Sequence, residues 1–207
     1  MIGLLVLGMA FAGGAAAQKA NRPEIKQLQG PQNPTVGFMM HGSLAVTSLT
    51  PEAEKSIAAQ LKGIVEKSYK ALRSGTPASA AVRTALKISG SSSLLGKEVG
   101  VVALDTKRHI AAVSARNRQA TFTNEVCGVS VLGPGPAEEQ AMRVCDDVLR
   151  KASTIQSAVD RRPVMPGAEQ AIIGLDKFGN MALKGSPAGT YRTYMAATGA
   201  VVEIFLK

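Results

Sequence analysis

The apolar and polar positions of the chain alternate in blocks that predict strands and helices in a definite order. The stretch TVGFMMHGSLAV (35–46) is typical of a short apolar strand that ends in a glycine turn. Apolar residues then recur at helical spacing over 57–72, after a Thr50-Pro51 start signal and before a closing glycine. The pattern predicts a second helix with the same Thr-Pro start over 76–88.

Two later segments of the chain align with each other without gaps. GVVALDTKRHIAAVS (100–114) and AIIGLDKFGNMALKG (171–185) each indicate an apolar strand, an aspartate turn and a second strand. Between them we predict an apolar strand (125–135) and one helix (136–159), and after them a closing pair of strands. Because the apolar runs are nearly continuous, both faces of the sheets should be covered. The pattern therefore predicts an α+β fold in which stacked sheets are enclosed by helices.

The N-terminal part of the chain has a different character. An uncharged apolar run (1–17) ends in small residues, and a polar linker with three prolines (18–34) follows it. The run resembles a signal peptide but lacks a basic segment before it. As a helix it would span about 24 Å, somewhat less than a hydrocarbon core of about 30 Å. We expect a membrane anchor or a signal-like segment, followed by one folded domain over 35–207.

Charge and aromatic content narrow the classes of partner. The chain has 24 Lys+Arg and 15 Asp+Glu, a formal net charge of +9, which favours contact with anionic lipid, nucleic acid or acidic proteins. Aromatic residues make up 4% and tryptophan is absent, so no stacking platform for single strands is expected. The basic residues are scattered and match no reader module, so nucleic acid is not the favoured partner.

The two cysteines are too few for a disulfide framework or a closed zinc site. Cys127 falls in a predicted strand and Cys145 in a predicted helix. Small buried free thiols are the usual explanation of such positions. A single disulfide between them is the alternative.

Four sequence segments, in this order, resemble the isoaspartyl peptidase and plant-type asparaginase family of N-terminal-nucleophile hydrolases. They are HGSLAV with the two helices after it, VGVVALDTKRHIAAVSA, VCGVSVLGPGPAEEQAMRVCDDVL, and AIIGLDKFGNMALKGSPAGTYRTYMAATGAVVEIFLK. The similarity covers nearly all of 35–207. It implies an αββα sandwich in truncated form, and we expect the apolar run before it (1–17) to form an N-terminal helix.

The residue on which that family's chemistry depends is absent from this chain. The resemblance implies a threonine that self-cleavage exposes just before a Val-Gly pair, with its hydroxyl as nucleophile and its new amino group as base. Here Val99-Gly100 is preceded by Glu98. A carboxylate can supply neither the hydroxyl nor the acyl shift that cleavage needs, so the chain is expected to be a pseudoenzyme.

The other pocket positions that the resemblance implies have also changed. The family's Thr-Ser-Thr-Gly-Gly segment corresponds to 114–118, where Ser114 keeps one hydroxyl, Arg116 stands at the second threonine and the paired glycines are absent. The Thr-Gly that contacts the oxyanion corresponds to Leu132-Gly133, and the loss of one such donor typically costs about 2.7–4 kcal/mol. The loop that binds the substrate's carboxylate is missing, and the sequence indicates no cofactor and no metal.

Other polar residues offer no clear replacement for the lost catalyst. We expect His41 and His109 to be solvated or bonded locally. Asp146-Asp147 is a carboxylate pair, but neighbours on a helix point about 100° apart, which favours a solvated face. Lys97 and Glu98 are expected to form a charge pair in a loop before the strand.

These observations favour a structural or accessory subunit of a membrane-associated complex. The basic surface, the polar linker and the apolar N-terminus would suit the mitochondrial inner membrane, with other protein subunits as partners and a lipid bilayer bound through residues 1–17. Two alternatives stay open. One is a divergent amidohydrolase that uses Ser114, and the other is a secreted or periplasmic binding protein whose first residues are a signal peptide.

Overall fold

The computed structural model of the chain describes residues 36–46, 48–115, 119–151, 153–162 and 170–206. The apolar run, the linker and Arg116 lie outside the described residues. Within these ranges, no helix combines the length and the apolar character needed to cross a membrane.

Nine strands and four helices follow one another in the described ranges, which confirms an α+β fold. The strands are β1 (Gly37–Leu44), β2 (Leu95–Leu104), β3 (Ile110–Ala115), β4 (Gln119–Thr123), β5 (Cys127–Leu132), β6 (Ala171–Asp176), β7 (Met181–Lys184), β8 (Thr190–Ala196) and β9 (Gly199–Phe205). The helices are α1 (Pro51–Arg73), α2 (Ala78–Gly90), α3 (Ala137–Lys151) and α4 (Ile155–Asp160).

The strands form two antiparallel sheets that face each other. The first sheet has the order β3-β2-β1-β8-β9, and the second has the order β4-β5-β6-β7. Strands β1 and β2 of the first sheet pack against β5 and β6 of the second. Helices α1 and α2 cover the outer face of the first sheet, while α3 and α4 cover the outer face of the second. The described chain is thus layered helix, sheet, sheet, helix.

Alternate residues of each strand point into different apolar cores. In β1, Phe38 and Met40 join the core beneath α1 and α2, whereas Met39 joins the core between the sheets. In β5, Val129 and Val131 join a third core beneath α3 and α4. Both faces of the two sheets are therefore covered, as the continuous apolar runs predict.

Helix α1 begins and ends at the predicted signals. The Thr50 hydroxyl oxygen accepts a hydrogen bond from the Ala53 N–H at 3.2 Å, and Pro51 is the first helical residue. Gly75 follows the helix with a φ of 91°, a left-handed conformation that glycine adopts without strain. Buried residues at helical spacing, among them Leu61, hold the helix on the first sheet.

The N-terminal cap of helix α2 differs from the predicted one. Pro77 occupies its cap position and offers no side-chain acceptor. Instead the Ala78 N–H donates to Asp105 Oδ2 at 3.2 Å, from a carboxylate 27 residues later in the chain. The prediction that Thr76-Pro77 repeats the start of α1 is therefore wrong, because the acceptor comes from a neighbouring strand turn.

The two aligned segments form matching hairpins, as predicted. Each aspartate, Asp105 or Asp176, accepts backbone N–H bonds at one oxygen from the residues two and four positions later, at 2.9 to 3.0 Å. Arg108 has a φ of 64° where the second hairpin has Gly179. The Arg108 guanidinium donates to the Lys177 carbonyl at 3.0 Å and so joins the two turns.

The predicted order and bounds of elements differ from the structure in three places. Strand β4 was not predicted, because its alternation of polar residues with Ala120 and Phe122 is that of a short edge strand within a polar connection. The predicted single helix over 136–159 is divided into α3 and α4, because the Thr154 hydroxyl caps a new helix. Strand β2 begins at Leu95, earlier than expected.

The two cysteines form a disulfide, so the expectation of free thiols is wrong and the alternative holds. Cys127 in β5 and Cys145 in α3 are both fully buried, with 5.5 Å between their Cα atoms. Their side chains lie in the core between the second sheet and its helices. The bond fixes α3 to the sheet that it covers.

One of the two neighbouring carboxylates of α3 is buried, contrary to the prediction that both are solvated. Asp146 lies at the surface near Arg150, but Asp147 is 7% exposed and has three cationic neighbours. These are Lys151 at 2.8 Å, Arg161 at 3.4 Å and Arg162 at 2.5 Å. The hydrogen bond from Lys151, opposed by burial and reinforced by the two arginines, holds the pKa of Asp147 below its ordinary value. A solvated face is therefore the wrong prediction for Asp147.

Candidate functional site

The position predicted for a degenerate nucleophile lies in a bulge of β2. Between two regular pairs, residues 96–98 of β2 stand opposite the single residue Ser43 of β1. Glu98 is half-buried in this bulge and Lys97 is exposed. The prediction of a charged loop before the strand is wrong, and no ion pair joins the two side chains among the described residues. Bulges of this kind re-aim side chains, and they are common beside active sites.

The second sheet brings Leu132 towards the same end of the gap. Ser130 of β5 lies against Gly100 of β2, and the glycine two residues earlier in β5 lies close to the valine two residues later in β2. Strand β5 therefore runs antiparallel to β2 over these residues, and Leu132, which is 3% exposed, lies beyond Ser130 towards the end of β2 that contains the bulge. Gly133 follows with a φ of 117° at the start of a turn.

Ser114 completes the group on the first sheet. It pairs with Gly100 across the β2–β3 ladder, and its side chain is half-buried. No described residue forms a hydrogen bond with its hydroxyl group. Glu98, Ser114, Leu132 and Gly133 thus lie towards one end of the gap between the sheets, while Arg116 falls outside the described residues. The assignment of these residues to a former catalytic pocket stays a prediction.

Next to this group, His41 and Ser130 join the two sheets. The His41 Nε2 and the Ser130 hydroxyl oxygen are 2.8 Å apart, and the two residues are 1% and 0% exposed. Gly100 makes the contact possible, because a Cβ at that position would lie 2.0 Å from the Ser130 oxygen and 2.8 Å from the His41 nitrogen. We refer to His41, Ser130 and Gly100 as the sheet bridge.

Burial keeps the His41 imidazole neutral. Loss of hydration is the main cause that lowers its pKa to about 3, and the nearby positive charge of Arg192 adds to it. Arg192 pairs with His41 in the β1–β8 ladder and binds the Glu203 carboxylate, with 3.1 Å between one guanidinium nitrogen and one carboxylate oxygen. Near neutral pH the sheet bridge is therefore an uncharged hydrogen bond between two sheets.

A serine and a histidine at this distance raise the question of nucleophilic catalysis. Neither side chain is open to a substrate, since both residues are buried. An imidazole with a pKa of about 3 is a weak base for a serine hydroxyl. The His41 Nδ1 also has no hydrogen-bond partner among the described residues, so no third group orients the ring. The arrangement is suited to a structural role.

Sequence reasoning missed the sheet bridge. The prediction of a solvated or locally bonded side chain is wrong for His41, whereas His109 is exposed and lies 3.5 Å from Asp105, as predicted. A signal was present in the sequence. Gly100 interrupts an apolar strand, and a glycine inside a strand often marks the close approach of another group.

The described residues contain no group of three or more His, Cys, Asp or Glu side chains that could hold a metal ion. No protein-family model matches the chain, and no curated protein matches it in sequence. Membership of the asparaginase family therefore stays a prediction, which rests on the resemblance of the four sequence segments.

Proposed function

We propose that the chain is a non-catalytic interaction subunit of a membrane-associated assembly, built on an αββα sandwich of the N-terminal-nucleophile hydrolase type. The observation that carries this proposal is the arrangement around Glu98. A carboxylate occupies the bulge where a hydroxyl nucleophile would be needed, and a buried leucine, Leu132, lies towards the same end of the gap between the sheets. On this proposal the chain keeps the layered sandwich without the side chains for acyl transfer.

The adjacent sheet bridge supports the same proposal. His41 and Ser130 occupy the interior next to the pocket position and fasten the two sheets together. A side chain used in this way is withdrawn from chemistry, because moving either partner would leave a buried polar group unpaired. The function of the chain is then expected on its outer surfaces.

Intact mass and activity of the full-length chain test this proposal. We expect a polypeptide that stays uncut between Gly96 and Gly100 and releases no ammonia from asparagine and no aspartate from isoaspartyl dipeptides. The Glu98→Thr variant should also stay uncut and inactive, because Leu132 supplies no donor to an oxyanion. Amide hydrolysis that disappears in Ser114→Ala but persists in Ser43→Ala would support the divergent amidohydrolase instead and overturn the proposal.

The disulfide bears on the compartment in which the subunit lies. Disulfides persist in oxidising compartments and are rare where glutathione and thioredoxin keep thiols reduced. The buried bond between Cys127 and Cys145 supports placement of the domain on the oxidising side of its membrane. The intermembrane side of the mitochondrial inner membrane and the periplasmic or extracellular side of a cell membrane both meet this condition.

Thiol blocking of the protein taken from its source tests the compartment. After denaturation without reductant, we expect no maleimide to couple to Cys127 or Cys145, and after reduction we expect both to react. A Cys145→Ala variant, with one free thiol, is the positive control for labelling. Two reactive thiols in the unreduced natural protein would place the domain in a reducing compartment.

A further inference from the structure

The outer surface formed by α1 and α2 is strongly basic. The stretch from Thr50 to Gly90 contains seven Lys and Arg residues and three Glu residues, a net charge of +4. The corresponding stretch of α3 and α4, residues 137–162, contains five basic and five acidic residues, a net charge of zero. The two outer layers of the sandwich therefore differ in charge although both are helical.

Most of the cations on α1 and α2 have no anionic partner. Among the described residues, Lys62 is the one member of the seven with a carboxylate within 4.0 Å, that of Glu66. The other six are Lys55, Lys67, Lys70, Arg73, Arg83 and Lys87. On α3 and α4, by contrast, each of the five basic side chains lies within 4.0 Å of a carboxylate.

The unpaired cations share one side of the molecule. Both helices bury their apolar faces against the first sheet, and all six side chains are exposed on the opposite faces. Two of the three glutamates, Glu52 and Glu54, are in the first turn of α1, far from the turn that joins the helices. We define the basic face as these six cations. It has its highest density where Lys70 and Arg73 approach the start of α2.

The chain enters the domain at this same end. Val36 is fully buried in the core beneath α1 and α2, and the next residue, Gly37, pairs with Leu104. Asp105 then caps α2 directly after the turn that joins the helices. The 35 residues that precede Val36 therefore attach beside the dense end of the basic face.

The sequence of residues 1–35 favours a lipid bilayer as the partner of the basic face. If the linker (18–34) behaves as a flexible coil, its mean reach is about 23 Å. An apolar run inserted in a membrane would then hold the basic face close to the headgroups, where a polybasic surface and an apolar anchor reinforce each other.

We propose that the basic face docks on the surface of an anionic lipid bilayer. The inference rests on the proposed membrane association, and it adds the lipid charge and the side of the sandwich that meets it. None of the large apolar side chains that are exposed in the described residues belongs to α1 or α2. Docking is therefore electrostatic, reversible and weakened by salt. The same lack of exposed aromatic rings disfavours single-stranded nucleic acid as the occupant.

Partition of the full-length protein onto vesicles tests the proposal. The quantity measured is the ratio of its partition coefficient on phosphatidylcholine mixed with phosphatidylglycerol to that on phosphatidylcholine alone. Insertion of the apolar run contributes to both coefficients, so the ratio isolates the electrostatic part. Each cation close to an anionic surface contributes roughly fivefold to binding. The variant Lys70→Gln with Lys87→Gln should thus lower the ratio by roughly 25-fold.

The matched control removes the same charge elsewhere. Lys97→Gln with Arg143→Gln lies off the basic face and should lower the ratio far less. Vesicle binding should also slow the acylation of Lys67, Lys70 and Lys87 more than that of Lys97 and Lys151, by mass spectrometry of the labelled peptides. This protection should appear on the mixed vesicles and fade as salt is raised.

Equal loss in the two double variants, or equal slowing of acylation in the two sets of lysines, would overturn the inference. Protection of the same lysines by duplex DNA but not by vesicles would also overturn it, in favour of nucleic acid. None of these results would restore catalysis or cleavage. Failure of the docking surface is therefore distinguishable from failure of the non-catalytic proposal, which the mass and activity measurements decide.

Discussion

The two helical layers are attached to their sheets by different means. Beneath α1 and α2 the core contains large side chains such as Phe38, Leu61 and Tyr191, and no disulfide crosses it. Beneath α3 and α4 it consists largely of valine and alanine. Smaller side chains bury less apolar area and so stabilise less, at about 25 cal/mol per Å². The disulfide and the ion cluster of Asp147 compensate on that side, whereas six cations of the first layer have no carboxylate partner among the described residues.

Removal of the disulfide is expected to have the largest effect on this difference. A covalent bond that closes an 18-residue separation stabilises a fold by about 3 kcal/mol in the chain-entropy model. The Cys127→Ala, Cys145→Ala variant should lose about this free energy of unfolding in urea titration. Reductant should destabilise the wild type similarly and leave the variant unchanged. An unaffected wild type under full reduction would show that the apolar core alone holds α3.

Acidification tests the sheet bridge, which both layers share. His41 has a pKa of about 3 when folded and an ordinary value of 6.5. Unfolding therefore takes up a proton between these values, and stability falls as pH is lowered from about 6.5 towards 3. At about pH 5 the loss should be about 2 kcal/mol relative to neutral pH.

A variant of His41 provides the control for this pH effect. Urea titrations from pH 7.5 to 5 should show a smaller dependence of stability on pH in His41→Gln than in the wild type. A full slope in His41→Gln would assign the effect to other groups. The carboxyls of Asp105 and Asp147, whose pKa values are lowered, lose their contribution at still lower pH.

The two hairpin aspartates, one at the end of a strand of each sheet, sharpen the comparison between the layers. Asp105→Asn turns an amide donor towards the Ala78 N–H and should cost about 1–3 kcal/mol for the unsatisfied buried donor. Asp176→Asn should cost clearly less, because its second oxygen meets the Asn180 side-chain amide, which can reverse and become the acceptor. Equal losses would mean that the cap of α2 contributes nothing.

The smallest expected effect is at the start of α1. Thr50→Ala removes the acceptor for the Ala53 N–H and should cost about 1 kcal/mol in thermal or urea unfolding. Thr50→Ser keeps an acceptor and is the control. A loss as large as that of the disulfide variant would contradict the picture of a first layer held mainly by its core.

Local signals predicted most of the fold, and contacts between distant residues account for the errors. Thr50, Gly75 and the paired hairpins were predictable because each depends on neighbours in sequence. The cap of α2 was not, because Asp105 is 27 residues away. The partners of His41 and Asp147 were also hidden, since burial and ion pairing across elements leave little trace in local composition.

The candidate site divides in the same way. The choice of Glu98, Ser114 and Leu132 came from the resemblance alone and stays a prediction, although all three residues lie towards one end of the gap. The sheet bridge was missed because Ser130 lies 89 residues from His41.

The position of β1 has a consequence for chain connectivity. This strand lies between β2 and β8 in the middle of the first sheet, although it precedes both in sequence. A protease cut between α2 and β2 would yield two pieces with no covalent link, because both cysteines belong to the later one. The described part of the earlier piece would still be held on both edges of β1 and through α1 and α2. The chain is therefore a natural candidate for a split protein reassembled from separately made halves.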